Sequence, residues 1–253
     1  MYILVSSKLK LSGCMSKFIH HGNDKKKYVE NMFNDISKRY DLFNLISSFG
    51  IDRYWRFKLV RKFNLSHDDK LLDVATGTGD VVFSFYKHFE LSCIGLDIAE
   101  KMVDAANLKK EKKGYGYRDI SFIKGDAEDL GFANDSFNAL TISFGFRNLG
   151  NYDKGLSEFF RVLKPGCRIA ILEFAQPKYK FFSLFFRFYF HHIVPLIGRM
   201  LSRKDAFEYL PESVDHFLDR KSLVEKMNDA GFRDVAYTDH TFGVAAIYTG
   251  VKP

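Results

Sequence analysis

The residues with the clearest chemical meaning in this chain of 253 lie at 71–80, LLDVATGTGD. An apolar run carrying the acid Asp73 gives way there to a turn with Gly77 and Gly79. Glycine lets the backbone turn tightly and lets a ligand approach the main chain, which a Cβ would block. Twenty residues beyond Gly77, a second apolar run ends in Asp97, suited to accept hydrogen bonds from ribose hydroxyls. A third run leads into KGDAEDLGF, residues 124–132, where Asp126 can accept from the exocyclic amine of an adenine. Taken singly, each feature is equally well a tight turn or a solvated loop end. Taken in order, each at the carboxyl end of a strand-like run, they describe a site for adenosine.

The adenosine is not that of a dinucleotide. The third glycine of the dinucleotide fingerprint, which allows close helix–strand packing over a pyrophosphate, is replaced by Val82. S-adenosylmethionine, with an adenosine and no pyrophosphate, fits these residues; NAD fits them poorly. Cys14, Cys93 and Cys167 stand far apart, with no CxxC pair and no metal-ligand spacing. Neither a metal nor a disulfide scaffold is expected, and a reducing, cytoplasmic setting is.

The elements that must hold these residues alternate along the chain. KLLDVAT, LSCIGLDI, ISFIKGD, FNALTIS and CRIAILEF are strand-like, and helical spacing recurs at 81–89, 100–110 and 153–163. That alternation predicts an open, doubly wound, mostly parallel α/β sheet. DVAYTDH and GVAAIYTGV, joined by a short Thr-Phe-Gly connection, add two strands that should pair antiparallel. The sheet then has seven strands, the last antiparallel. Residues 28–66 predict two helices around a break near Ser47–Gly50. Over 176–220 the alternation lapses, and aromatic and basic residues predict a helical insert that covers the substrate. Residues 1–27, polar and lysine-rich, are expected to be a flexible basic arm, leaving 28–253 as a single domain.

Phenylalanine is over-represented at 27 residues, seven of them between Phe174 and Phe190. The net charge of +7 lies wholly in residues 1–70, which hold 14 Lys/Arg against 7 Asp/Glu. A neutral remainder offers no phosphate track, so no nucleic-acid partner is expected. The basic end and the phenylalanine-rich cover suit contact with an anionic membrane surface instead. No uninterrupted apolar window of about 18 residues is present; residues 181–198 are broken by Arg187, His191, His192 and Pro195. The first 13 residues make a poor secretory signal. Oligomeric state is not readable, and a homo-oligomer stays open.

The chain resembles the demethylmenaquinone/ubiquinone C-methyltransferase family of class I S-adenosylmethionine-dependent methyltransferases. The likeness runs in order from about Asn31 to the end: YDLFNLISSFGIDRYWR (40–56), the glycine loop, GDAEDLGF, NALTISFGFRNL (138–149), RVLKPGCRIAILEF (161–174), HHIVPLIG (191–198), YLPESV (209–214) and AGF (230–232). SFGFRN and YDLFN are far more specific than the glycine loop, which unrelated methyltransferases share. The resemblance implies a Rossmann-like fold, S-adenosylmethionine as cofactor and a lipophilic prenylated quinol as acceptor. Demethylmenaquinol is the expected acceptor, with the benzoquinol precursor of ubiquinone as the alternative. It also implies that Thr78 and Asp97 bind the cofactor, that Asp126 and Ala127 flank its adenine, and that Ser143 closes the site near the methionine portion. The family usually has glycine where Thr76 and Cys167 stand, and some members have Asn where Asp126 stands.

C-methylation needs a nucleophilic ring carbon, alignment of the reacting atoms and departure of a ring proton. Arg147 and Asn148 follow the fourth strand at the cofactor's reactive end. Arg147 is expected to stabilise the developing phenolate, and Asn148 to orient the ring. His192, an imidazole titrating near neutrality, is a candidate proton acceptor. Against these stand an Arg147 merely paired with an acid and a structural or interfacial His192. Tyr40 and Asp41 could close over the substrate. The rival functions are methylation of another small lipophile, RNA methylation, and an adenosine-binding scaffold in a quinone-synthesis complex. The (N/D)PP(Y/F) signature of many amino-nitrogen methylases is absent after the fourth strand.

Overall fold

The computed structural model describes residues 21–253 apart from 117, 179–183, 185, 187, 202 and 203. The strands are β1 (Lys70–Val74), β2 (Ser92–Asp97), β3 (Ile120–Lys124), β4 (Phe137–Ser143), β5 (Leu163–Phe174), β6 (Arg233–His240) and β7 (Ala245–Val251). They form one sheet in the order β3-β2-β1-β4-β5-β7-β6. β1 to β5 pair in parallel, and β7 runs antiparallel to both β5 and β6. The three-residue Thr241–Gly243 connection leaves no other choice, since a parallel crossover needs a dozen or more residues. In β1, Leu71 to Val74 are all buried, because helices cover both faces of the strand.

Helices α4 (Asp80–Phe89) and α5 (Glu100–Lys112) follow β1 and β2, and α6 (Tyr152–Val162) precedes β5. Val82, Phe85 and Met102 pack into the core on one face of the sheet, while Leu156 and Phe159 pack into the core on the other. β1 sits between β2 and β4, so successive strands diverge from it. A crevice opens there at the carboxyl ends of the strands, the usual ligand position in such sheets.

Ahead of the sheet lie α1 (Gly22–Ile36), a short turn at Ser37–Arg39, α2 (Tyr40–Ser48) and α3 (Ile51–Val60). Three helices thus stand where two were expected. Residues 22–27, expected in the arm, are instead the first turns of α1, and residues 1–20 lie outside the described residues. The break after α2 falls where the sequence places it. Gly50 N donates to Leu45 O at 3.1 Å and Phe49 N to Ile46 O at 3.3 Å, with Phe49 and Gly50 at φ 51° and 75°. These two hydrogen bonds close the helix end.

Where it is described, the stretch expected as a cover insert is helical. A π-turn at Tyr189–Ile193 leads into α7 (Val194–Leu201), then α8 (Lys204–Asp215). α9 (Arg220–Asp229) returns the chain to β6.

Candidate active site

Two cavities open in the crevice. The smaller, about 70 Å³, lies under α1 at the ends of β1, β2 and β4, and Gly77, Asp97, Asp126, Ala127 and Ser143 border it. The larger, about 360 Å³, is walled by apolar and aromatic side chains of α1–α3 and the cover, among them Phe43, Trp55 and Phe186. Phe33, Tyr40, Ala75, Gly77, Ser143 and Phe144 border both, so the two meet at the glycine loop and the end of β4.

The loop is shaped from behind. Asp73 is buried, and its two oxygens accept from the Thr76 and Thr141 hydroxyls, each at 2.7 Å. Burial pushes its carboxyl up to about 7. The family glycine replaced by Thr76 could not supply that donor. A Cβ on Gly79, at φ 83°, would lie 2.5 Å from the Phe122 ring. Asp73 and Gly79 were expected to bind the cofactor. They border neither cavity and instead hold the loop's shape.

Asp97 faces the smaller cavity. One oxygen accepts from Gly77 N at 2.8 Å and the other from Ala99 N at 2.9 Å. Burial raises its carboxyl to about 6, which leaves it largely ionised at neutral pH. Each carboxylate oxygen has a second lone pair, so ribose hydroxyls can still be accepted. Asp126 accepts from Glu128 N at 2.9 Å and from Lys26 Nζ at 2.7 Å. Thr78 faces the larger cavity. Its hydroxyl donates to Asp41 at 2.5 Å and accepts from Lys109 Nζ at 3.0 Å. Lys109 also pairs with Asp41 at 2.6 Å and Asp80 at 2.9 Å. Thr78 therefore latches α2 and α5 to the loop, and does not border the smaller cavity.

Ser143 supplies the test of fit for S-adenosylmethionine. Its Oγ is buried without a hydrogen-bond partner, at the junction of the cavities. Such an unpaired hydroxyl costs about 1–3 kcal/mol, and a polar ligand group across the junction would satisfy it. Asp97, Asp126 with Ala127, Gly77 and Ser143 line one continuous path, and the cofactor fits it.

Arg147 borders the larger cavity from a short turn, Phe146–Asn148. Its Nη1 contacts Glu173 at 2.9 Å and donates to Phe144 O at 2.5 Å, and its Nε donates to the Ser213 hydroxyl at 3.2 Å. The guanidinium also lies 5.4 Å from the Phe174 ring centroid. It does pair with an acid, and that pairing aims it. Asn148 borders only the smaller cavity, its side chain accepting from the Tyr209 hydroxyl at 3.2 Å. His192, the candidate proton acceptor, is exposed and borders neither cavity, as its structural alternative would have it. The π-turn directs Tyr189 inward, its hydroxyl on Ser47 O at 2.8 Å, and leaves the His192 ring 5.0 Å from Phe188. That expectation is corrected.

Two residues escaped the sequence reading. Lys25 is buried, its Nζ donating to Arg147 O at 2.7 Å and Leu149 O at 2.9 Å. Burial lowers its pKa to about 8. Glu173, fully buried in β5, receives Arg147. Lys25 stands in NDKKK, which has the composition of a solvated tail, and only its reach across the fold reveals the role.

A glycine loop after β1, an acid ending β2 and an apolar cavity at the end of β4, in a sheet of this topology, define a class I S-adenosylmethionine-dependent methyltransferase. A likeness of fold agrees: an S-adenosylmethionine-dependent methyltransferase from Aquifex aeolicus has a TM-score of 0.58 at 19% identity, over 78% of this chain and 89% of that one. The chain belongs to the ubiE/COQ5 methyltransferase family, whose model matches residues 21–252. It is 41% identical over 231 residues to the ubiquinone/menaquinone biosynthesis C-methyltransferase UbiE of Geobacter sulfurreducens, covering 90% of each chain. It is 40% identical over 231 residues to the demethylmenaquinone methyltransferase of Deinococcus radiodurans, covering 90% of this chain and 94% of that one.

Proposed function

We propose that the protein methylates a ring carbon of a prenylated quinol, with demethylmenaquinol as the acceptor and menaquinol as the product. One observation carries the reading: an apolar cavity of about 360 Å³ meets the cofactor cleft at Ser143 and Phe144, with the Arg147 guanidinium in its wall. The family and the names of its relatives support a quinol acceptor, and the Deinococcus relative's name favours the naphthoquinol.

Bound S-adenosylmethionine supplies an electrophilic methyl group. The chain's own residues make the acceptor ready for it. Phe43, Trp55 and Phe186 keep water from the ring, which strengthens any charge interaction inside. Arg147, with Nη1 and Nε held by Glu173, Phe144 and Ser213, keeps Nη2 for a phenolate. Favouring the phenolate over the neutral phenol makes the neighbouring ring carbon more nucleophilic. Asn148, on the cofactor side, holds the turn through Tyr209 rather than touching the ring. A cytosolic enzyme of this kind reaches its acceptor at a membrane face.

Mass spectrometry of quinones from a host lacking its own enzyme, with and without this gene, tests the reading. One methyl gained on demethylmenaquinone is expected; a methyl gained only on the benzoquinol precursor would overturn the choice of acceptor. Arg147→Ala should lower kcat by about 10²–10³ with cofactor affinity kept, and near-normal turnover would remove Arg147 from the mechanism.

A further inference from the structure

α2 turns its apolar stripe outward. Leu42, Leu45, Ile46 and Phe49 stand at i, i+3, i+4 and i+7, one face of a helix, and all four are exposed, Phe49 by 77%. Among the residues of α2 only Phe43 is buried. α3 adds a second exposed stripe of Tyr54 and Phe57, interleaved with Arg53, Lys58 and Arg61. Lys58 lies 5.3 Å over the Tyr54 ring and Arg61 5.8 Å over the Phe57 ring. The acids of these two helices are committed elsewhere, Asp41 to Lys109 and Asp52 to Arg56. The two neighbouring helices therefore combine exposed apolar side chains with positive charge that no acid of their own offsets.

The patch is continuous with the larger cavity. Phe49 and Ile51 are exposed and border that cavity as well, and the Phe49 ring lies 5.9 Å from Tyr189 on the cover. Leu184 and Phe188 are also exposed apolar side chains of the cover. Contiguous apolar surface around a cavity mouth marks an interaction site. A second copy of the chain, packed through a two-fold axis, would bring this positively charged patch against the same patch. Aromatic rings with basic side chains beside them match an anionic headgroup layer instead.

We propose that α2 and α3 dock on an anionic lipid surface, with Leu42, Leu45, Ile46, Phe49 and Phe57 entering the acyl boundary, so that the larger cavity opens onto lipid. The purpose of such docking rests on the prenylated acceptor proposed above; its test does not. The full chain is sedimented with phosphatidylcholine vesicles, with and without phosphatidylglycerol. Binding that rises with phosphatidylglycerol is expected. It should fall about tenfold or more in Leu45→Glu/Phe57→Glu, neither of which borders a cavity. The same variant should methylate a short-tailed, water-soluble quinol like the wild type and fail with a long-tailed quinol held in vesicles. Leu45→Ala/Phe57→Ala serves if the glutamates lower the thermal midpoint. Wild-type indifference to vesicles, or a variant that binds as the wild type does, overturns the proposal. So does a dimer in solution that the variant abolishes. Vesicle binding without methylation of either quinol would instead overturn the acceptor reading and leave the docking intact.

Discussion

Asp73 and Asp97 are buried carboxylates at the ends of neighbouring strands, and their partners give them different work. Asp73 accepts two hydroxyls and faces the interior, whereas Asp97 accepts two backbone N–H groups and faces the smaller cavity. Burial lifts both above the ordinary value of 3.8, to about 7 and about 6. Between pH 4 and these values the folded chain binds more protons than the unfolded one. Stability from these groups is full below pH 4 and is lost as pH rises through the folded values. Asp73→Asn should remove its part, a loss of about 2 kcal/mol between pH 5 and 7 seen by urea unfolding of the wild type. Equal slopes in the two proteins would refute the assignment. Asp97→Ala should weaken S-adenosylmethionine binding more than tenfold, because ribose hydroxyls lose a charged acceptor. Calorimetry showing unchanged affinity would be the contrary result.

At the scale of elements, α1 forms a wall of the smaller cavity. Lys26, Val29 and Phe33 border the smaller cavity, and Gly22 N donates to Gly150 O at 3.1 Å. Lys25 caps the carbonyls of the Arg147 turn, with its ammonium 5.3 Å from the Tyr152 ring centroid. Lys25→Met should leave two carbonyls unsatisfied and cost about 1–3 kcal/mol in urea unfolding. It should also weaken cofactor binding, since α1 is then less firmly seated; stability and affinity both at wild-type levels would remove Lys25 from this role. The π-turn acts at the same scale. By turning Tyr189 rather than His192 toward the interior, it leaves the imidazole outside both cavities.

At the scale of the molecule, the basic quarter of the sequence divides in two. Lys25, Lys26 and Arg56 are spent on internal contacts, while Arg53 is exposed on α3 and Lys58 and Arg61 lie over aromatic rings at its surface and end. Charge that looks like one property of the chain thus serves both folding and a surface. Among the described residues no helix is long and apolar enough to cross a membrane. The cleft, walled by elements far apart in the chain, couples ligand to global stability. S-adenosylmethionine at 100 times its Kd should stabilise the fold by about 2.7 kcal/mol, a rise of about 5–10 °C in Tm for a chain of this length. Asp97→Ala should lose most of that rise at the same concentration.

The strands, the glycine loop and the places of Asp97 and Asp126 were legible in the linear order, and Ser143 came only through the family resemblance. They depend on local periodicity and on the rule that ligands gather at the carboxyl ends of parallel strands, both of which act over short spans. Four things were not legible: the Lys25 cap, the Glu173 partner of Arg147, the inward-facing Asp73 and the outward stripe of α2. Lys25 and Arg147 are 122 positions apart, and Asp73 and Thr141 are 68 apart. No spacing rule carries a pairing of that kind. The α2 stripe has the same period as a core-facing helix, so the direction in which it faces is set by what packs against it and not by its own residues.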